Sequence, residues 1–99
     1  MIASFNSKVT QALFSGKRVA RFDNIASVAM RKLQQINAAT KLEFLRIPPG
    51  NQLEKLSGNR LGQCSIRIND QWRLCFRFEG GNVFEVEIVD YHEEGKHET

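Results

Sequence analysis

The fold turns on one stretch: Cys64-Ser65-Ile66-Arg67-Ile68-Asn69-Asp70-Gln71-Trp72-Arg73-Leu74-Cys75-Phe76-Arg77-Phe78, then Glu79-Gly80-Gly81-Asn82-Val83, then Phe84-Glu85-Val86-Glu87-Ile88. Its apolar residues recur at every second position in three runs. Cys64, Ile66 and Ile68 form the first, Trp72, Leu74, Phe76 and Phe78 the second, and Phe84, Val86 and Ile88 the third. A period of two places side chains alternately on two faces, so three half-buried strands in an antiparallel meander are predicted. An Asn69-Asp70-Gln71 loop sets Ile68 opposite Trp72 and Ile66 opposite Leu74. At the second connection, a two-residue Gly80-Gly81 turn would set Arg77 opposite Phe84 and put a charge on the core face. A three-residue Gly80-Gly81-Asn82 loop is therefore expected, pairing Phe78 with Phe84, Phe76 with Val86 and Leu74 with Ile88. Cys64 and Cys75 then point to opposite faces, which excludes a disulfide between them.

Upstream, Pro48-Pro49-Gly50-Asn51 breaks the chain, and before it the period changes to helical. Ile25, Val28, Ala29, Leu33 and Ile36 form a stripe that predicts a helix to about Ala39 with Asp23 as its N-cap. Arg31, Lys32, Gln34 and Gln35 fall on its exposed side. A shorter helix is expected over 7–15, with Val9, Ala12 and Leu13 inward and Gly16 as its stop. Residues 1–5 read as a short strand. The expected architecture is α+β, with two N-terminal helices packed on one face of an antiparallel sheet. Residues 1–92 form the single expected domain, and the acidic 93–99 is expected to be a disordered tail.

Bulk properties narrow the function. The 99 residues are 41% hydrophobic and 25% charged, ordinary for a globular domain. No apolar run approaches the ~20 residues of a membrane span, so no membrane association is expected. Met1-Ile2-Ala3-Ser4-Phe5 has neither the basic start nor the long apolar run of a signal peptide. With only two cysteines, a reducing cytoplasm is expected. Residues 1–84 carry 13 Lys/Arg against 5 Asp/Glu, a balance of +8, whereas residues 85–99 carry one lysine against six acids. A basic body points to a polyanion such as nucleic acid, although a solvated charged surface reads the same way.

The polar face of the meander collects the chemistry. Arg77 is expected opposite Glu85. Arg73 falls between Arg67 and Val89, facing solvent or substrate. Like charges directly opposed cost ~0.2–1 kcal/mol, and a phosphate between the two guanidiniums would reverse the sign. Two arginines splayed into water is the bland alternative. Tyr91 shares this face, and His92 follows it with a side chain that titrates near neutrality. Such groups can cut RNA: a base takes the 2′-hydroxyl proton, a cation stabilises the crowded phosphate, and an acid protonates the leaving 5′ oxygen. There is no CxxC, HExxH or clustered carboxylate motif and no phosphate-loop signature, so neither a metal nor a cofactor is expected.

Pro48-Pro49-Gly50-Asn51, Leu56-Ser57-Gly58-Asn59-Arg60, the Ser65–Phe76 run and the closing Val86-Glu87-Ile88-Val89-Asp90-Tyr91-His92 together resemble the HigB-type toxins of the RelE/ParE superfamily. The resemblance spans nearly the whole chain. It implies a RelE/ParE-like fold, an mRNA endonuclease working in the ribosomal decoding site, and a neutralising HigA-type helix-turn-helix antitoxin through which operator DNA is bound. By the same resemblance Arg73 corresponds to the phosphate-stabilising arginine, and Asp90, Tyr91 and His92 to the C-terminal catalytic cluster. The chain departs from some relatives by Glu54 in place of a histidine and Ser57 in place of a lysine. The departures imply fewer phosphate-binding cations and weaker activity. Lys55, Arg60 and Arg67 are the RNA-binding candidates to compensate, and Glu54 is the acid/base candidate. Two other functions fit the superfamily: a gyrase poison of the ParE kind, and a non-catalytic co-repressor acting with its antitoxin.

Overall fold

A computed structural model describes residues 1–91. Helix α1 (Lys8–Phe14) and helix α2 (Ala26–Ala38) precede a four-stranded antiparallel sheet: β1 (Glu54–Lys55), β2 (Cys64–Arg67), β3 (Trp72–Glu79) and β4 (Asn82–Asp90), ordered β1-β2-β3-β4. The two-helix, one-sheet α+β expectation holds. Short 3-10 turns occupy Ala20–Phe22, Leu42–Arg46, Pro49–Asn51 and Gly58–Arg60. Among the described residues no helix is long and apolar enough to cross a membrane.

The core lies between the helices and the even-numbered face of the sheet. Leu33 and Ile36 of α2 share one core cluster with Ile66, Leu74 and Phe76, all fully buried, and Phe22 stacks edge-on against Trp72 with centroids 5.4 Å apart. Helix α2 starts later than expected. Asp23 closes the preceding 3-10 turn and pairs with Arg18, while Ile25 stands at the N-cap with no side-chain cap bond. Ser7 caps α1 through Thr10 N at 3.2 Å. The inward residues of α1 are Thr10 and Leu13, and Val9 is exposed, because Thr10 Oγ1 accepts the Ile88 amide of β4 at 3.0 Å. The expected strand at 1–5 is reduced to two parallel bridges onto the edge of β4, Ile2 with Val83 and Phe5 with Val86.

The first hairpin has the expected register, with Ile66 opposite Leu74 and Arg67 opposite Arg73. The second corrects the expectation. A tight Gly80-Gly81 turn, with φ of 57° and 81°, sets Glu79 opposite Asn82, Phe78 opposite Val83 and Arg77 opposite Phe84. Such a left-handed two-residue turn matches strand twist, which is why it wins locally. An extra residue in β4 then undoes the slip. Glu85 takes φ of 58°, two β3 steps (Cys75 to Arg77) span three in β4 (Glu87 to Phe84), and Leu74 returns opposite Ile88. Val83 is thus the fully buried residue near the turn, and Phe84 is half-buried.

Candidate active site

The odd-numbered face is not the open surface that alternation implies. The chain from Pro49 to Gln63 folds across it, with β1 pairing to β2 through Glu54–Ser65 and Lys55–Cys64. Ser65, Arg73, Cys75 and Val89 are consequently buried although they oppose the helix-covered side. The expectation that Arg73 faces solvent or substrate is corrected: it is 4% exposed. Its Nε donates to Ser65 Oγ at 2.8 Å, and its Nη2 donates to the Gln52 carbonyl at 2.6 Å. Its Nε also lies 3.5 Å from Glu54 Oε1.

Tyr91 closes the group. Its ring centroid is 5.2 Å from the Arg73 guanidinium carbon, within cation–π range, and its hydroxyl donates to Glu54 Oε1 at 3.1 Å. Glu54, Arg73 and Tyr91 therefore form one contact cluster drawn from β1, β3 and the end of β4. Beside it opens a cleft of about 150 Å³, lined by Glu54, Lys55, Ser57, Arg60, Cys75 and Tyr91 among others. The bonds of Arg73 engage Nε and Nη2, and Nη1 takes none from the described residues. A guanidinium has donors to spare in that arrangement, and Arg73 is a cation fixed in place behind Glu54 and Tyr91, which line the cleft.

The remaining expected residues divide. Lys55 lies on the cleft wall with its side chain exposed. Arg60 also lines the cleft, but its guanidinium reaches Glu87 Oε1 at 3.4 Å and Gln63 Oε1 at 3.1 Å, which builds the wall rather than presenting a free cation. Arg67 stands opposite Arg73 as expected, yet its guanidinium is turned onto the Asp70 carboxylate. Among the described residues Asp90 is placed apart from Glu54 and Arg73. It shares the parity of Ile88 rather than Tyr91, and Gln71 Nε2 donates to its Oδ2 at 3.0 Å. His92 lies outside the described residues, as does the 93–99 tail. Arg77 reaches Glu85 at 3.3 Å even though the bulge puts Phe84 at its register position.

Sequence reasoning missed Asn51, Gln52 and Ser65. Ser65 was legible, since the parity that carries Arg73 carries Ser65 too. Nothing marked Gln52, whose carbonyl is aimed at Arg73 by a left-handed backbone, φ 46° and ψ 55°. Asn51 is fully buried and holds this turn: its Nδ2 donates to Leu45 O at 3.0 Å and Gln35 Oε1 at 3.1 Å, and its Oδ1 accepts from Lys32. Cys64 sits on the core side, where burial pushes its thiol above the usual range; Cys75 forms part of the cleft floor.

Several known proteins are similar to this chain in sequence or in fold. The chain is 39% identical to Toxin HigB-1 of Vibrio cholerae over 83 residues, covering 82% of this chain and 87% of that one. It is 33% identical to Endoribonuclease HigB of Proteus vulgaris over 97 residues, covering 93% and 100%. In fold it is similar to YafQ from Escherichia coli, with a TM-score of 0.56, 16% identity and coverage of 95% and 96%. It is also similar to a chain of the YoeB–YefM complex from Staphylococcus aureus, with a TM-score of 0.50, 16% identity and coverage of 88% and 95%. Residues 4–92 match the family model described as RelE-like toxin of type II toxin-antitoxin system HigB. Since that match takes in nearly the whole chain, the site included, this protein belongs to the HigB-like toxin family, whose members act within toxin–antitoxin pairs.

Proposed function

We propose that this toxin is a ribosome-dependent endoribonuclease that cleaves translated mRNA in the cytoplasm, and that a HigA-type helix-turn-helix antitoxin silences it. The observation that carries the reading is the Glu54–Arg73–Tyr91 cluster at the mouth of a cleft in a basic body. The name of the Proteus relative, an endoribonuclease, supports it.

In this reading a scissile phosphate takes the place of Glu54 as the anion next to Arg73, and the guanidinium stabilises the charge that grows on the phosphate oxygens. Glu54, released from Arg73 but still at the cleft, accepts the 2′-hydroxyl proton. Tyr91, which lines the cleft, and the adjoining His92 serve the leaving 5′ oxygen. Lys55 and Arg67 bind flanking backbone, whereas Arg60 and Asp90 act through the groups they hold. A cleft this small encloses little more than the reacting group, so orientation of the message falls to the ribosome. Positioning of that kind supplies ~7–11 kcal/mol in well-oriented reactions.

Incubating purified toxin with naked mRNA and with a programmed ribosome tests the proposal. Discrete cuts inside the reading frame, confined to the ribosome reaction, are expected. Growth arrest on expression with every message intact would overturn it in favour of a toxin that acts by binding alone.

A further inference from the structure

Three cations from three elements gather around the turn at Asn51–Gln52. Arg73 of β3 is bonded to the Gln52 carbonyl, Arg67 of β2 lies opposite Arg73, and Lys32 of α2 is bonded to the Asn51 side chain. Arg31 adds a fourth positive charge beside Lys32 on the same helix. The acids in contact with this group are Glu54, on Arg73, and Asp70, on Arg67. Among the described residues Lys32 hydrogen-bonds the neutral amide of Asn51 and pairs with no acid. Partial burial, with the like charges of Arg31 and Arg67, pushes its ammonium below the usual lysine range.

As a structural tether Lys32 is over-equipped. Holding Asn51 Oδ1 needs one N–H donor, which an uncharged glutamine amide provides as well. The charge strengthens that bond but also raises the local repulsion among Lys32, Arg31 and Arg67. An anion would turn the repulsion of Lys32, Arg31 and Arg67 into attraction.

We propose that Lys32 and Arg67 form a second phosphate subsite, beside the scissile-phosphate position at Arg73, that holds the backbone of the single-stranded RNA where it passes the Arg67 end of β2. The proposal rests on the endoribonuclease reading for its ligand. The subsite binds without reacting, so it contributes to the affinity for the message and not to the chemical step.

The test is binding of a fluorescently labelled hexaribonucleotide blocked by 2′-O-methyl groups, followed by anisotropy across a potassium chloride series. Each phosphate contact on a single strand adds about 0.7 to the slope of log affinity against log salt. Lys32→Gln, which keeps a donor for Asn51, is expected to lower the slope by about that amount without changing the melting temperature. Arg67→Gln should do the same and Lys32→Arg should keep the parental slope, while Lys8→Gln on exposed α1 serves as the control for general charge. On programmed ribosomes Lys32→Gln should raise KM and leave kcat unchanged. An unchanged slope in Lys32→Gln, an equal fall in Lys8→Gln, or no oligonucleotide binding by the parent at low salt would each overturn the subsite. A parent that binds with the expected slope yet cuts nothing on ribosomes would overturn the cleavage reading instead, leaving the subsite in place.

Discussion

Replacing Arg73 by alanine tests the site and the fold at once. The side chain is 4% exposed and bonds Ser65 Oγ, Gln52 O and Glu54, with Tyr91 stacked over it. Alanine leaves the buried Ser65 hydroxyl without its donor, at ~1–3 kcal/mol. It also removes a cation–π contact of ~0.5–2 kcal/mol and leaves Glu54 without its nearby cation. The Gln52 carbonyl belongs to an exposed residue and regains water, so it adds little. A destabilisation of about 3 kcal/mol follows, which for a domain of this size lowers the melting temperature by roughly 12–24 °C. Circular dichroism melting measures it, with Arg77→Ala as the comparison. Arg77 is about one-third exposed and pairs with Glu85, so its loss should cost no more than the ~1 kcal/mol of a surface pair. Cleavage must then be assayed well below the lowered melting point and scaled to the folded fraction. Loss of a transition-state cation should reduce it a further ~10²–10³-fold. Arg73→Lys separates the two roles, since it keeps the charge but not the planar fork that reaches Ser65 and Gln52 together. An Arg73→Ala melting temperature within a few degrees of the parent would refute the burial argument. A folded Arg73→Ala protein that cuts at the parental rate would refute the catalytic one.

The turn that aims Gln52 at Arg73 has a left-handed backbone, so Gln52→Val should strain it and reduce kcat, whereas Gln52→Gly should keep parental activity; equal activity in the two variants would show that the turn does not position Arg73. Thr10→Val removes the acceptor of the buried Ile88 amide and should cost ~1–3 kcal/mol in urea denaturation, with cleavage at low temperature unaffected. Burial raises the Cys64 thiol above its ordinary 9.0, so the unfolded chain ionises first as pH rises. Its stabilising contribution is complete below about pH 9 and is lost above it; urea titrations at pH 7 and pH 10 should show an alkaline loss that is smaller in Cys64→Ala. A chain ended after His92 should keep growth arrest and one ended after Asp90 should lose it with its core intact, because Ile88 is the last residue of β4 packed in the core cluster; an active second truncation would remove Tyr91 and His92 from the mechanism.

The sequence alone determined the core-facing side of β2 and β3, roughly where the two helices run, and which residues are candidates for chemistry. Alternation of period two dictates the faces of β2 and β3, and the 3.6-residue stripe from Ile25 to Ile36 dictates the buried side of α2, because both depend only on local backbone geometry. The ordered motif from Ser65 to Phe76, with the closing Asp90-Tyr91-His92, marked the family for the same reason: it is contiguous in the chain. Tertiary structure decided the rest. Alternation sets parity but not the place where parity is broken, so the slip at Gly80-Gly81 and its repair at Glu85 depend on twist and pairing along the whole hairpin. The burial of Arg73 was out of reach for a related reason. It comes from the aperiodic segment between Pro49 and Gln63 crossing the polar face, and a segment without a period carries no local signal of what it will cover. That crossing joins Glu54 and Tyr91, 37 residues apart, in one hydrogen bond and sets both against Arg73.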